Sequence, residues 1–169
     1  MYAPLRSSLM PTAQLAKTLL AFCLLLALVS APRAHAQAAP QAAAIAVGGD
    51  NLTRLLWNNP GGSIALWRIA ADGTVTSSPY GPSPGWATTA LAVGGNDQPR
   101  IVWNHPADGQ MSLWSVDAAD NFSQTSYGPY PGWAAQAIAV GGDSRPRLVW
   151  DKAEGTLSLW NVGAANSLA

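Results

Sequence analysis

AIAVGGDNLTRLLW (44–57), ALAVGGNDQPRIVW (90–103) and AIAVGGDSRPRLVW (137–150) are three versions of one segment, and their recurrence decides the fold. Leu91 follows Ile45 by 46 residues, and Ile138 follows Leu91 by 47. Self-similarity at about 20–50 residues marks a solenoid, a propeller or another array, because each repeat buries its apolar face only against a neighbour.

Working outward from that segment, each unit reads as four short strands. An apolar run, IAV or LAV, ends in Gly-Gly and a polar turn: Asp50-Asn51, Asn96-Asp97 or Asp143-Ser144. A β-rich run follows (RLLW, RIVW, RLVW), then a polar loop at 58–62, 104–109 and 151–155. The third run is SIALWRI, QMSLWSV or TLSLWNV, with alternating apolar positions. After a turn (70–73, 118–121, 163–166), the fourth run is TVTSSPYG or NFSQTSYG. GPSPGW (81–86) and GPYPGW (128–133) close the first two units, and their prolines and glycines forbid helix. Strands at this spacing define an all-β chain, and four per repeat is the pattern of one β-propeller blade. A β-solenoid wants a shorter repeat; a β-prism is the main competing architecture. The expected blades are 44–89, 90–136 and 137–169. The third stops at NSLA (166–169), so it is expected to be incomplete and the ring open, to be closed by more chain or by self-association as a homo-oligomer.

All eight tryptophans keep register with the repeat: Trp57, Trp103 and Trp150; Trp67, Trp114 and Trp160; Trp86 and Trp133. The first two sets sit within strands and are expected to fill the seams between blades. Trp86 and Trp133 are either pegs between blades or the aromatic platform of a binding site.

Residues 1–36 carry basic residues, the 13-residue apolar run TLLAFCLLLALVS and Ala34-His35-Ala36, the order of a secretory signal peptide. The run is short for a transmembrane helix, which takes roughly 20 apolar residues. A secreted, extracellular or periplasmic, product is expected, with no membrane attachment once the leader is cut. Residues 37–43 read as an Ala/Pro/Gln linker. The mature part has no cysteine, and its six basic residues against nine acidic ones give a net charge of −3. No basic patch exists for a phosphate backbone, so nucleic acid is not an expected partner.

The repeats LLWNNPGGSIALW…GTVTSSPYGPSPGW and their partners resemble the Trp- and Gly-rich repeats of secreted bacterial β-propeller lectins, the tachylectin-like propellers among them. The resemblance covers 44–169 and rests on repeat length, strand count and tryptophan placement. It implies a propeller fold, glycans as partners, and short chains that oligomerise to complete the ring.

Alternating strand direction places the loop between the second and third strands beside the connector to the next unit. That end of the blades would carry Asn58, Asn59, Asn104 and His105, with Asp151 and Lys152, beside Tyr80, Tyr127, Trp86, Trp133 and Tyr130. Aromatic faces stack on the C–H face of a pyranose and planar amides answer its hydroxyl pairs. The ordinary alternative is that the asparagines are turn residues. Asp50, Asp72 and Asp143 read as turn stabilisers rather than calcium ligands, and Arg54, Arg100 and Arg147 as structural partners of turn aspartates. His105 is alone, there is no G-x-S-x-G elbow or phosphate loop, and Glu154 is the single glutamate, so no enzyme, metal or cofactor is expected. The leading functional expectation is a secreted carbohydrate-binding module with repeated sites between blades. The alternatives are a non-catalytic structural or adhesion repeat, a fragment of a larger secreted protein, and an accessory domain of a secreted hydrolase.

Overall fold

The computed structural model describes residues 39–163. The expected signal peptide, the first linker residues and the closing segment 164–169 lie outside the described residues. Eleven strands run in chain order: β1 (Gln41–Val47), β2 (Thr53–Asn58), β3 (Ile64–Ile69), β4 (Val75–Tyr80), β5 (Ala87–Val93), β6 (Pro99–His105), β7 (Gln110–Val116), β8 (Phe122–Tyr127), β9 (Trp133–Val140), β10 (Pro146–Lys152) and β11 (Leu157–Asn161). They form three antiparallel meanders, β1-β2-β3-β4, β5-β6-β7-β8 and β9-β10-β11, here blades 1, 2 and 3. The chain is all-β with blade-like sheets. The first strands of consecutive blades pack on one another, β1 on β5 and β5 on β9, and the three blades do not close a ring.

The blade frame is offset from the expected one. Strand β1 begins at Gln41, inside the segment read as linker, and blades 2 and 3 start just after, or at, the tryptophan of the Pro-Gly connector. Ala42 and Ala44 pair with Trp57 and Leu56 of β2 across a bulge at Ala43. The same bulge recurs at Thr89 and Gln136. Small residues suit these first strands because three of them crowd together, and that packing overrides the poor strand propensity of alanine.

Turn chemistry follows the repeat. Asp50 takes the Leu52 N–H and the Arg54 guanidinium; Asp143 takes the Arg145 N–H and Arg147 (3.0 Å). Each carboxyl is held below its ordinary value chiefly by its arginine. In blade 2, Asn96 stands at that position, and Arg100 keeps the bond that Arg54 and Arg147 also make to the carbonyl two residues back, here Gln98 at 3.2 Å.

Two apolar seams make the core. Leu56, Ile64 and Leu66 of blade 1 meet Leu91, Ile101, Trp103, Trp114 and Val116 of blade 2. Val102, Met111 and Leu113 of blade 2 meet Ala135, Leu148, Trp150 and Val162 of blade 3. Blade 2 is therefore covered on both faces, and β6 is buried along nearly its whole length. The corresponding β2 and β10 alternate, because each outer blade has one covered face.

Polar clasps reinforce the seams. Asn58 Nδ2 donates to the Thr88 carbonyl at 3.1 Å, and Thr88 Oγ1 returns a hydrogen bond to Asn58 Oδ1. One seam on, Asn104 donates to the Ala135 carbonyl at 2.8 Å and accepts the Ala135 N–H at 3.0 Å. On the outer side, Arg68, Ser78 and Tyr80 of blade 1 grip the β7–β8 turn: Arg68 pairs with Asp120, Ser78 Oγ donates to Asp120 Oδ2 (2.7 Å) and the Tyr80 hydroxyl to the Asp120 carbonyl (3.1 Å). Asp120 has φ 66° where blade 1 has Gly73, so this carboxylate sits in a conformation that favours glycine.

Candidate functional site

The Pro-Gly connectors position the aromatic residues. Ser83 N donates to the Gly62 carbonyl (3.0 Å) and Trp86 N to the Ser83 carbonyl (3.1 Å). The second connector repeats this, with Tyr130 N to Gly109 (3.1 Å) and Trp133 N to Tyr130 (3.0 Å). Gly62 and Gly109 have φ of 81° and 73°, and a Cβ on either would run into the connector carbonyl. These two glycines let the connector lie flat on the β2–β3 or β6–β7 loop and carry its tryptophan to the next blade.

At the seam of blades 1 and 2, a cavity of about 140 Å³ is lined by Ser83, Trp86, Trp103, Ser112, Trp114 and residues of β8, Gln124 and Ser126. No lining residue is charged. Ser112 Oγ and Trp103 Nε1 are buried and have no hydrogen-bond partner among the described residues. Shut away from water, each such atom would cost about 1–3 kcal/mol, a cost that a ligand hydroxyl in the open cavity would avoid. A second cavity of about 130 Å³ shares Trp86 and Trp103 and is lined by Asn58, Asn59 and Ser63. Asn58 is less available than the first cavity's hydroxyls, since it is committed to Thr88.

The equivalent place at the seam of blades 2 and 3 is filled. Tyr130 occupies the connector position of Ser83, and its ring stands edge-on to Trp150 (5.7 Å) and Trp160 (5.0 Å), the counterparts of Trp103 and Trp114. Ser158, the counterpart of Ser112, accepts the Trp160 Nε1–H at 2.8 Å. One difference between the repeats, serine against tyrosine, accompanies an open site in one seam and a plugged one in the other.

The expected site residues therefore divide. Trp86 lines both cavities, and Asn58 and Asn59 line the second. His105 lies beside Trp86 (ring centroids 5.1 Å apart) and holds Asp108 through Nδ1 (2.8 Å), so it buttresses the tryptophan. Trp133 is half-buried against the second seam, with Lys152 Nζ 5.1 Å from its ring. Three residues differ from expectation. Asn104 is buried because blade 3 uses its whole amide. Tyr127 is buried in the second seam, where desolvation raises its hydroxyl pKa. Tyr80 packs edge-on against Trp114 with its hydroxyl held by Asp120. Sequence reasoning assigned Trp103 and Trp114 wholly to the core and passed over Ser83, Ser112, Gln124 and Ser126. The Ser83/Tyr130 difference was the available signal.

A larger cavity of about 280 Å³ lies at the other end of this seam, among Asp50, Arg54, Arg68 and Asp97. Its charges face each other: Arg54 holds Asp50 and the Asp97 carbonyl, and Asp97 accepts the Asp50 N–H. That chemistry joins turns and leaves little for a ligand.

No protein-family model and no curated protein matches the chain. Among solved structures it is similar to a protein from Lactobacillus plantarum, with a TM-score of 0.55 and 16% identity over 77% of this chain and 40% of that one. A protein of unknown function from Bacteroides caccae aligns with a TM-score of 0.46 and 8% identity, over 77% of this chain and 60% of that one. The chain thus spans less than half of the first neighbour, and the likeness is one of fold.

Proposed function

We propose that this chain is a secreted, non-catalytic carbohydrate-binding module of β-propeller type, with its sugar seated in the seam between blades 1 and 2. The observation that supports this reading best is a neutral cavity where three tryptophans meet two orphaned polar atoms, Trp103 Nε1 and Ser112 Oγ. The ligand that answers such a lining has an apolar face, several hydroxyls and no charge, as a pyranose does. Its volume is close to the ~150 Å³ that takes a single benzene-sized ring, so one sugar residue is the unit recognised. About a dozen heavy atoms at ~0.3 kcal/mol each give roughly −4 kcal/mol, a millimolar site. Useful affinity then comes from presenting several sites to a glycan-coated surface. The leader at 1–36 is the basis for proposing secretion.

A second reading, a purely structural or adhesion repeat, is favoured by the seam of blades 2 and 3, where Tyr130 leaves no opening. A glycan array probed with the wild type and with Trp86→Ala separates the two. Selective signal that Trp86→Ala removes supports the sugar site; an array blank for both proteins supports the structural reading.

A further inference from the structure

Blades 1 and 3 each present one uncovered face, and the two faces are the two halves of a seam the molecule already builds twice. Leu157 and Leu159 of β11 correspond in register to Ile64 and Leu66 of blade 1 and to Met111 and Leu113 of blade 2. Those four are at most 3% exposed, whereas Leu157 and Leu159 are 70% and 64% exposed. On blade 1, Ile45 corresponds to Leu91, and the two are 67% and 7% exposed. Trp57 and Trp67, tilted against each other at 5.1 Å, repeat the Trp103–Trp114 pair that receives blade 1 and the Trp150–Trp160 pair that receives blade 2. The side chains that insert are bare on blade 3, and the pair that would receive them is half-buried on blade 1, where its counterparts Trp103 and Trp150 are fully buried.

The polar clasp supports the same polarity. Asp151 stands where Asn58 and Asn104 hold the following blade. It accepts a hydrogen bond from Gln136 Nε2 at 2.7 Å, and Gln136 is the bulge residue equivalent to Thr89, whose hydroxyl donates to the following blade's Ala135 carbonyl. Asp151 and Gln136 together offer an acceptor and an amide donor, the complement that Asn104 presents to the N–H and C=O of Ala135. The residue equivalent to Ala135 in blade 1 is Ala42, whose backbone those groups would meet in a second chain.

We propose that a second copy of this chain docks its blade 1 on blade 3, head to tail, and that two copies close a six-bladed ring. Among the described residues each copy holds three blades, so two copies fall within the 4–8 blades that closed propellers use, and three copies do not. This assembly is independent of whether the molecule binds a sugar.

The test is light scattering on a size-exclusion column, with far-UV circular dichroism to follow folding. One variant carries Leu157→Asp and Leu159→Asp, and a second carries Ile45→Asp. All three positions are exposed in the single chain, so the fold should persist. The wild type is expected at twice the chain mass, and each variant as a monomer, its dissociation constant raised at least about 100-fold. An equimolar mixture of the two variants should give a dimer, because one intact blade-3 face and one intact blade-1 face remain. A wild type that stays monomeric, or that forms larger or polydisperse species, overturns the proposal. So does an Ile45→Asp variant that dimerises alone, since that would mean blade 3 pairs with blade 3.

Discussion

Replacing Ser83 with tyrosine should copy into the first seam the plug that Tyr130 makes in the second. The ring would enter the cavity of about 140 Å³ and meet Trp103 and Trp114 as Tyr130 meets Trp150 and Trp160. At ~24 cal/mol per Å³, filling that space stabilises by up to about 3 kcal/mol. Against this, Ser112 Oγ and Trp103 Nε1 would be sealed in without partners, at about 1–3 kcal/mol each. The opposing contributions nearly cancel, so the melting temperature should move by no more than a few degrees. Ligand binding should be lost altogether. The assay is titration calorimetry at millimolar concentration of the strongest array monosaccharide, with the urea midpoint measured in parallel. Undiminished binding by a folded Ser83→Tyr variant would refute the assignment of the site to this cavity.

Other outcomes follow from the same geometry. Gly62→Ala combines a positive φ with a collision against the Ser83 carbonyl; it should lower stability by about 1–3 kcal/mol in urea unfolding and weaken ligand binding by displacing the connector. Asn104→Ala strands the Ala135 N–H at the second seam, while the Ala135 carbonyl keeps the Thr89 hydroxyl; it should cost about 1–3 kcal/mol, with monosaccharide binding at the first seam near wild type in calorimetry. The carboxyls of Asp50, Asp108, Asp117 and Asp143 all titrate below their ordinary value of 3.8 in the folded chain, Asp50 and Asp143 chiefly through arginine, Asp108 through the Gln110 N–H and Asp117 through Asn121. Groups depressed on folding contribute stability above their unfolded pKa and lose it as pH falls through the folded one. Urea midpoints should therefore be flat near neutrality and fall below about pH 4, less steeply in an Asp50→Asn variant. Because no charge lines the cavity, sugar affinity should change little between low and high salt.

Much of the architecture is legible in the sequence because each repeat carries its own local instructions. The Gly-Gly-Asp turns with arginine four residues on, the alternating LWRI and LWSV runs and the Pro-Gly connectors each specify a strand boundary without knowledge of the rest. What the sequence hides is which face of each strand is covered. RLLW, RIVW and RLVW look alike, yet β6 is covered on both sides and β2 and β10 on one, because coverage depends on a blade's place in the array. The start of β1 was hidden for a similar reason, since Ala42 and Ala44 form a strand only through pairing with β2. The site was half legible. Trp86 and its neighbouring asparagines mark the end of the blades where the cavity lies, but Asn104 turns inward because blade 3 follows it. The cavity itself exists by contrast between repeats, a serine where the next unit has tyrosine, and reads as a site only when the seams are superposed.

Fluorine NMR of protein labelled with 5-fluorotryptophan tests the central claim most directly, since the eight tryptophans report separately on every seam and face. Titration with the strongest array monosaccharide should shift Trp86, Trp103 and Trp114, assigned by single substitution, and leave Trp133, Trp150 and Trp160 in place. Shifts confined to Trp133, Trp150 and Trp160, or eight unmoved resonances, would contradict a sugar site between blades 1 and 2.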